Sequence, residues 1–145
     1  MSTMQKLLAI SVLYQHNYRV LHWKVCSTDF DPVHALMDSY VSEFGEFIDK
    51  FAEMSMMIGM NPIAIHEIDS VLSSMTARAM SISSDKNYTP KEVFELSGRM
   101  LTTLQEMVRE ELTNESLPRG IQSELEVIDY WITKELNYKN KQRLS

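Results

Sequence analysis

Five side chains of metal-binding type, His22, His34, Asp38, Asp49 and Glu53, sit at spacings that a single chain cannot close around one ion. The last four fall on one predicted helix. At about 100° and 1.5 Å per residue, His34 and Asp38 are one turn apart, as are Asp49 and Glu53, and the four share an arc of roughly 100°. Asp38 and Asp49 are eleven positions apart, hence about 16 Å along the axis, against metal–ligand bonds of about 2 Å. The pairs His34/Glu53 and Asp38/Asp49 have the same midpoint, 43.5. Two copies of the helix crossing antiparallel about a twofold axis at that point would set His34 against Glu53 of the second copy and Asp38 against its Asp49, twice over. Gly45 lies beside this crossing, where it would permit close approach.

Leu36, Tyr40, Phe44, Phe47, Phe51 and Ile58 form a stripe on the opposite side of the same helix, the pattern of a face packed into its own core. The ligand arc therefore points outward. Val41, Ile48, Ala52 and Met56 lie between or beside the acidic positions and give the outer arc an apolar component that suits a subunit interface. Any one of these carboxylates alone would read as part of a solvated acidic face. The shared midpoint is a property of the set.

The elements that must position these residues are helices. The first should run from Thr3 to Cys26 and turn through Ser27 to Asp31. Asp31 as cap and Pro32 at the first position open the second helix, which Gly59 ends. Asn61 and Pro62 predict the start of a short bridging helix through about Leu72, followed by a Ser-rich loop over 73–88. Thr89, Pro90 and Glu92 form a capping box for a helix reaching Leu112, and after a break at Asn114 to Pro118 a last helix should span Pro118 to Leu136. With no β-alternation and no repeat, the chain is predicted to be an all-α four-helix bundle with a short helix in the long connection between helices two and three.

Length and composition agree. At 145 residues and 44% apolar content the chain is expected to form one domain, residues 1–145, with a short basic tail at about 137–145. Cys26 is the only cysteine, so no internal disulfide is available and a cytoplasmic setting fits. The apolar run Leu7 to Leu13 after Lys6 is broken by Gln15, His16, Asn17 and Arg19, which reads as an amphipathic first helix rather than a signal peptide. No stretch is long enough to span a membrane.

His22 lies near the end of the first helix, twelve residues before His34, and the intervening turn can bring it beside His34 and Asp38 within one subunit. No glutamate is followed three residues later by histidine, so the Glu-x-x-His signature of a di-iron centre inside a bundle is absent. His22-Trp23, His34 twelve on, Asp38 four on, and Asp49-x-x-x-Glu53 eleven further resemble, at every spacing, the pattern of the Dps family of mini-ferritins, the DNA-binding proteins from starved cells. The bridging helix after Gly59 to Pro62 and the aromatic Tyr130-Trp131 in the last helix extend the likeness.

The resemblance implies a ferritin-like bundle assembled as a hollow homododecamer. Its implied activity is that of a ferroxidase, which oxidises Fe(II), preferentially with hydrogen peroxide, and stores ferric mineral. Two irons are expected per twofold interface, with His22, His34 and Asp38 from one subunit and Asp49 and Glu53 from its mate. Imidazole and carboxylate suit Fe(II), carboxylates stabilise Fe(III), and the lack of thiolates disfavours structural zinc. Trp23 is implied as a donor or interceptor of electrons beside the centre, or else as an interface aromatic.

Departures from the family bear on partners. Many members carry a lysine-rich extension at the N-terminus, whereas Met1 to Gln5 here contain no lysine, and a net charge of −6 repels phosphate backbones. Lys134, Lys139, Lys141 and Arg143 form the one basic cluster, able to contact DNA or to solvate a helix end. DNA binding is not favoured. Glu110, Glu111 and Glu115 are candidates to line an iron pore, or else a solvated turn. His16 reads as packing or surface, and His66 beside Glu67 and Asp69 as surface. The eleven methionines read mostly as adaptable filler, with a capacity to scavenge oxidants. The competing functions are a structural or DNA-compacting shell whose metal site is not catalytic, and a di-metal oxidase of an organic substrate, for which no pocket signature is present.

Overall fold

In the computed structural model, which describes residues 1–75, 80 and 82–145, four long helices enclose one apolar core. They are α1 (Thr3–Lys24), α2 (Phe30–Met57), α4 (Pro90–Leu112) and α5 (Arg119–Thr133), with the short α3 (Ile65–Ser73) in the long connection. No helix among the described residues is long and apolar enough to cross a membrane.

Local chemistry fixes most of the ends. Ser2 and Gln5 cap α1 reciprocally, the Ser2 Oγ accepting from the Gln5 amide at 3.2 Å and the Gln5 Oε1 from the Ser2 amide at 3.1 Å. Thr89 and Glu92 do the same for α4, with Pro90 at its first position. Gly59 ends α2 with φ of 79°, a left-handed conformation that costs glycine little, and the Met60 amide returns to the Ser55 carbonyl at 2.9 Å. Three boundaries in the first half of the chain differ from expectation. α1 stops at Lys24, because Val25 pairs in parallel with Tyr88 and the Cys26 amide donates to the Tyr88 carbonyl at 2.8 Å. α2 begins at Phe30 with Asp29, not Asp31, as its cap residue, since the Ser27 hydroxyl accepts from the Asp29 amide and closes the turn early. The bridging helix starts after Ala64 rather than Pro62, where Glu67 reaches back to the Ala64 amide at 3.1 Å. Residues 76–79 and 81 of the expected loop lie outside the described residues.

α1 packs along α2 and against α4, and α4 packs on α5. The square closes between α2 and α5, where Phe47 meets Trp131 edge-on at 5.2 Å and Lys50 pairs with Glu124. Tyr14, Tyr18, Phe44, Phe47 and Phe51 are fully enclosed at the centre. Burying each such ring contributes on the order of 2–3 kcal/mol.

The last helix does not stop near Leu136. It continues through a π-helical segment, Lys134–Asn140, and a final turn, Lys141–Leu144. Buried Glu135 anchors this extension. It accepts from the Tyr40 hydroxyl at 2.7 Å and from Lys139 at 2.9 Å, with Arg143 at 3.6 Å. Asn140 donates to the Phe94 carbonyl and lies against Gly98, where a Cβ would stand only 2.9 Å from its amide nitrogen.

Candidate metal centre

The turn between α1 and α2 brings His22 and His34 into face-to-face contact, with ring centroids 3.6 Å apart and planes within 20°. Each ring locks onto the other residue's backbone. His22 Nδ1 lies 2.9 Å from the His34 carbonyl, and His34 Nδ1 lies 2.7 Å from the His22 carbonyl. A carbonyl can only accept, so both Nδ1 atoms carry a hydrogen, and in the neutral imidazole it is Nε2 that keeps the lone pair. This is the tautomer that a metal-binding histidine needs, held by the same kind of backbone bond that orients ligands in known centres. Phe30 stacks on the far side of His34 at 4.7 Å, making a three-ring pile. Sequence reasoning missed Phe30, although an aromatic one turn before a helical histidine was a readable signal.

Asp38, Asp49 and Glu53 are exposed on the outer face of α2, and among the described residues none of the three makes a hydrogen bond or ion pair within the chain. Among the described residues no three His, Cys, Asp or Glu side chains of one chain converge to hold a metal ion. The two histidines are thus brought together, and the three carboxylates stand apart along the same helix. Trp23 follows His22 and is more than half exposed, its ring edge-on to His16 at 6.1 Å.

The inward stripe Tyr40, Phe44, Phe47 and Phe51 is buried, and Leu36 and Ile58 pack against it. Two expectations about the outer arc change. Val41 is only 7% exposed and belongs to the core, because α1 covers that flank of α2; Ile48 and Ala52 also pack inward, leaving Met56 as the exposed apolar member. Gly45 serves the same chain: a Cβ there would stand 3.2 Å from Gln15 Nε2, whose amide donates to the Val41 carbonyl. Trp23, Phe30, Met56, Met57 and Met60 are exposed and supply apolar surface near the candidate ligands.

The outlying candidates separate. Glu111 is buried, and that burial raises the carboxyl's pKa, whereas Glu110 and Glu115 are exposed, so the three do not share a surface. Glu67 caps α3, and His66 beside it is exposed. In the basic cluster Lys139 and Arg143 are engaged with Glu135, and Lys134 and Lys141 are exposed.

The family model for the ferritin-like domain matches residues 2–114. No curated protein sequence matches the chain. Among solved structures, Helicobacter cinaedi CAIP superposes with a TM-score of 0.87 at 16% identity, covering 99% of this chain and 97% of that one. Staphylococcus aureus Dps gives 0.83 at 17% identity over 99% and 93%, and Listeria monocytogenes Dps gives 0.79 at 22% identity over 93% and 88%. A bundle whose long α2 carries a buried aromatic stripe on one side and outward carboxylates beside a locked histidine pair on the other thus belongs to the ferritin-like domain family, with the fold of the Dps proteins.

Proposed function

We propose that this chain is a ferroxidase of the mini-ferritin type, taking Fe(II) as substrate at sites shared between two copies related by a twofold axis. The observation that carries the reading is the histidine pair, whose locked Nδ1–H groups leave both Nε2 atoms for a metal on the helix that carries three outward carboxylates unpartnered among the described residues. His22, His34 and Asp38 of one copy and Asp49 and Glu53 of the other would bind the ion. Neutral imidazole accepts Fe(II), and carboxylate charge favours the ferric product. Two ferrous ions per site would together supply both electrons that one hydrogen peroxide takes, so that water rather than hydroxyl radical results. Glu53 and Asp38, a carboxylate from each copy, would hold or bridge the principal iron, and Phe30, stacked on His34, would keep that imidazole in register.

In this reading the ferric product accumulates as mineral inside a closed homo-oligomer, a dodecamer of cytoplasmic location. Trp23, exposed next to His22, would intercept an electron deficit that escapes the site. The alternative of a DNA-compacting shell is weakened by the engagement of two of its four basic side chains with Glu135 and by the net charge of −6.

The test is anaerobic loading of the purified protein with Fe(II), then a stoichiometric peroxide pulse, with ferric absorbance and particle mass followed together. Fast oxidation within a soluble particle of about twelve subunits is the expected result. An intact particle that oxidises iron no faster than buffer would leave a structural shell.

A further inference from the structure

Phe30 and Met57 have the same midpoint, 43.5, as the pairs His34/Glu53 and Asp38/Asp49. Each lies one helical turn beyond a candidate ligand, Phe30 four residues before His34 and Met57 four after Glu53. An antiparallel pairing that sets His34 against Glu53 of the second copy therefore sets Phe30 against its Met57. Both side chains are uncovered in the single chain, Phe30 at 37% exposure and Met57 at 67%. Phe30 opens α2, and its ring is already held in place by the stack on His34 at 4.7 Å.

Beside Met57 there is a pocket of about 480 Å³ between the end of α2 and the start of α5, lined by Met54, Met57, Pro118, Gly120 and Ile121, with Glu53 in the same wall. An apolar cavity of about 150 Å³ accepts benzene, so a phenyl ring fits here with room for its neighbours to close on it. The Lys50–Glu124 ion pair at 3.4 Å joins the two helices that form the walls. Gly120 helps to keep the space open. It sits in α5 without the positive φ that would call for glycine, and a Cβ there would meet nothing within 4 Å. Its own chain thus gains nothing from the missing side chain, which costs helix stability. Methionine thioethers adapt their shape and pack favourably against aromatic rings.

We propose that this pocket is the socket for Phe30 of the second copy, so that each twofold pair is fastened by two aromatic anchors, one beside each shared site. The inference rests on the twofold pairing proposed above and adds the contact that locks it. An aromatic ring seated in a pocket is the kind of contact that dominates interface energy. Its position also serves the site. The ring carries its own His34 in the stack, and the wall that receives it carries Glu53 of the second copy, so seating the ring brings imidazole and carboxylate together from the two chains. Phe30, Met54 and Met57 then form an apolar wall on that side of the ion-binding groups.

The experiment uses full-length metal-free protein with Cys26→Ser, so that introduced thiols are the only ones. One variant carries Phe30→Cys with Met57→Cys, and the other Asp38→Cys with Asp49→Cys. Within one helix these pairs lie about 40 Å and about 16 Å apart, so a short bismaleimide can link either pair only between two chains. Covalent dimers are expected from both. Dimers from the 38/49 variant alone would overturn the socket and leave the twofold pairing standing, whereas dimers from neither would overturn the pairing and the socket with it. A second measurement addresses the pocket from its other side. Gly120→Phe fills it from within the chain and should raise the concentration at which the pairs dissociate roughly tenfold. Phe30→Ala should do the same, but adding Gly120→Phe to Phe30→Ala should then weaken the pair no further, because the ring it would exclude is gone. Equal weakening by Gly120→Phe in both backgrounds would show that something other than Phe30 occupies the pocket and overturn the assignment. If Gly120→Phe does not fold, the cross-links decide.

Discussion

The two faces of α2 solve opposite problems with neighbouring residues. On the inner face Tyr40, Phe44, Phe47 and Phe51 interlock with Tyr14, Tyr18 and Trp131 at centroid distances between 4.9 and 6.4 Å, and the one hydroxyl among the four, on Tyr40, is partnered. On the outer face Asp38, Asp49 and Glu53 find no partner in the described chain. The inner face is complete in one copy of the chain and holds the fold. In the proposed reading the outer face is completed by a second copy and an ion, and its carboxylates, unpartnered among the described residues, contribute little to the stability of the single subunit. Stability and activity should therefore respond to different mutations on the same helix.

The largest effect should come from the inner face. Phe44→Ala removes a fully enclosed ring at the centre of the aromatic group, and a loss of about 3–5 kcal/mol is expected in denaturant unfolding. A loss under about 1 kcal/mol would mean that the core closes without it. Next is the outer pair. Asp49→Ala with Glu53→Ala should slow peroxide-driven iron oxidation at least about a hundredfold, about 2.7 kcal/mol in barrier, while circular dichroism stays as in the parent. Collapse of helical content would erase the distinction between the faces.

Alkaline pH should separate them as well. Burial pushes the Tyr14 phenol up from its ordinary 10.0 to about 12 and drives Tyr18 and Tyr40 upward also. The unfolded chain loses these protons first, so the stabilisation is fully present below pH 10 and is lost as pH rises towards 12. Tyr14 alone accounts for on the order of 2–3 kcal/mol. Unfolding midpoints measured between neutral pH and the alkaline limit should fall through that window, with the tyrosinate absorbance rising at the unfolding transition. Smallest is the effect of Phe30→Ala, which takes the outermost ring from the pile on His34. Ferrous affinity should weaken roughly tenfold, and an unchanged affinity would show that the two backbone bonds suffice to hold the imidazole.

Much of this was legible in the residues. The capping box Thr89-Pro90-x-Glu92, the aromatic stripe of α2 and the break at Gly59 are local signals with local causes, and each appears in the structure. What failed depended on neighbours distant in sequence. Val41 reads as outward until α1 is laid on that flank, and the contact Gly45 makes room for within its own chain, with Gln15, is invisible until the two helices are packed. The continuation of the last helix past Leu136 depends on Tyr40 meeting Glu135 across 95 positions, which no propensity of the basic segment encodes. The histidine pair was legible as two ligands near one turn. Their reciprocal bonds to each other's backbone were not, because they depend on the angle at which α1 meets α2.

The central claim is that each site is shared by two copies, and complementation tests it most directly. One variant, His22→Ala with His34→Ala, and a second, Asp49→Ala with Glu53→Ala, should each be inactive alone. Reassembled together at equal amounts, half of the twofold pairs would be mixed and each mixed pair would regain one of its two sites, restoring about a quarter of the parent's peroxide-driven iron oxidation. Mixed particles, confirmed by native mass spectrometry, that remain as inactive as either variant would contradict a shared site.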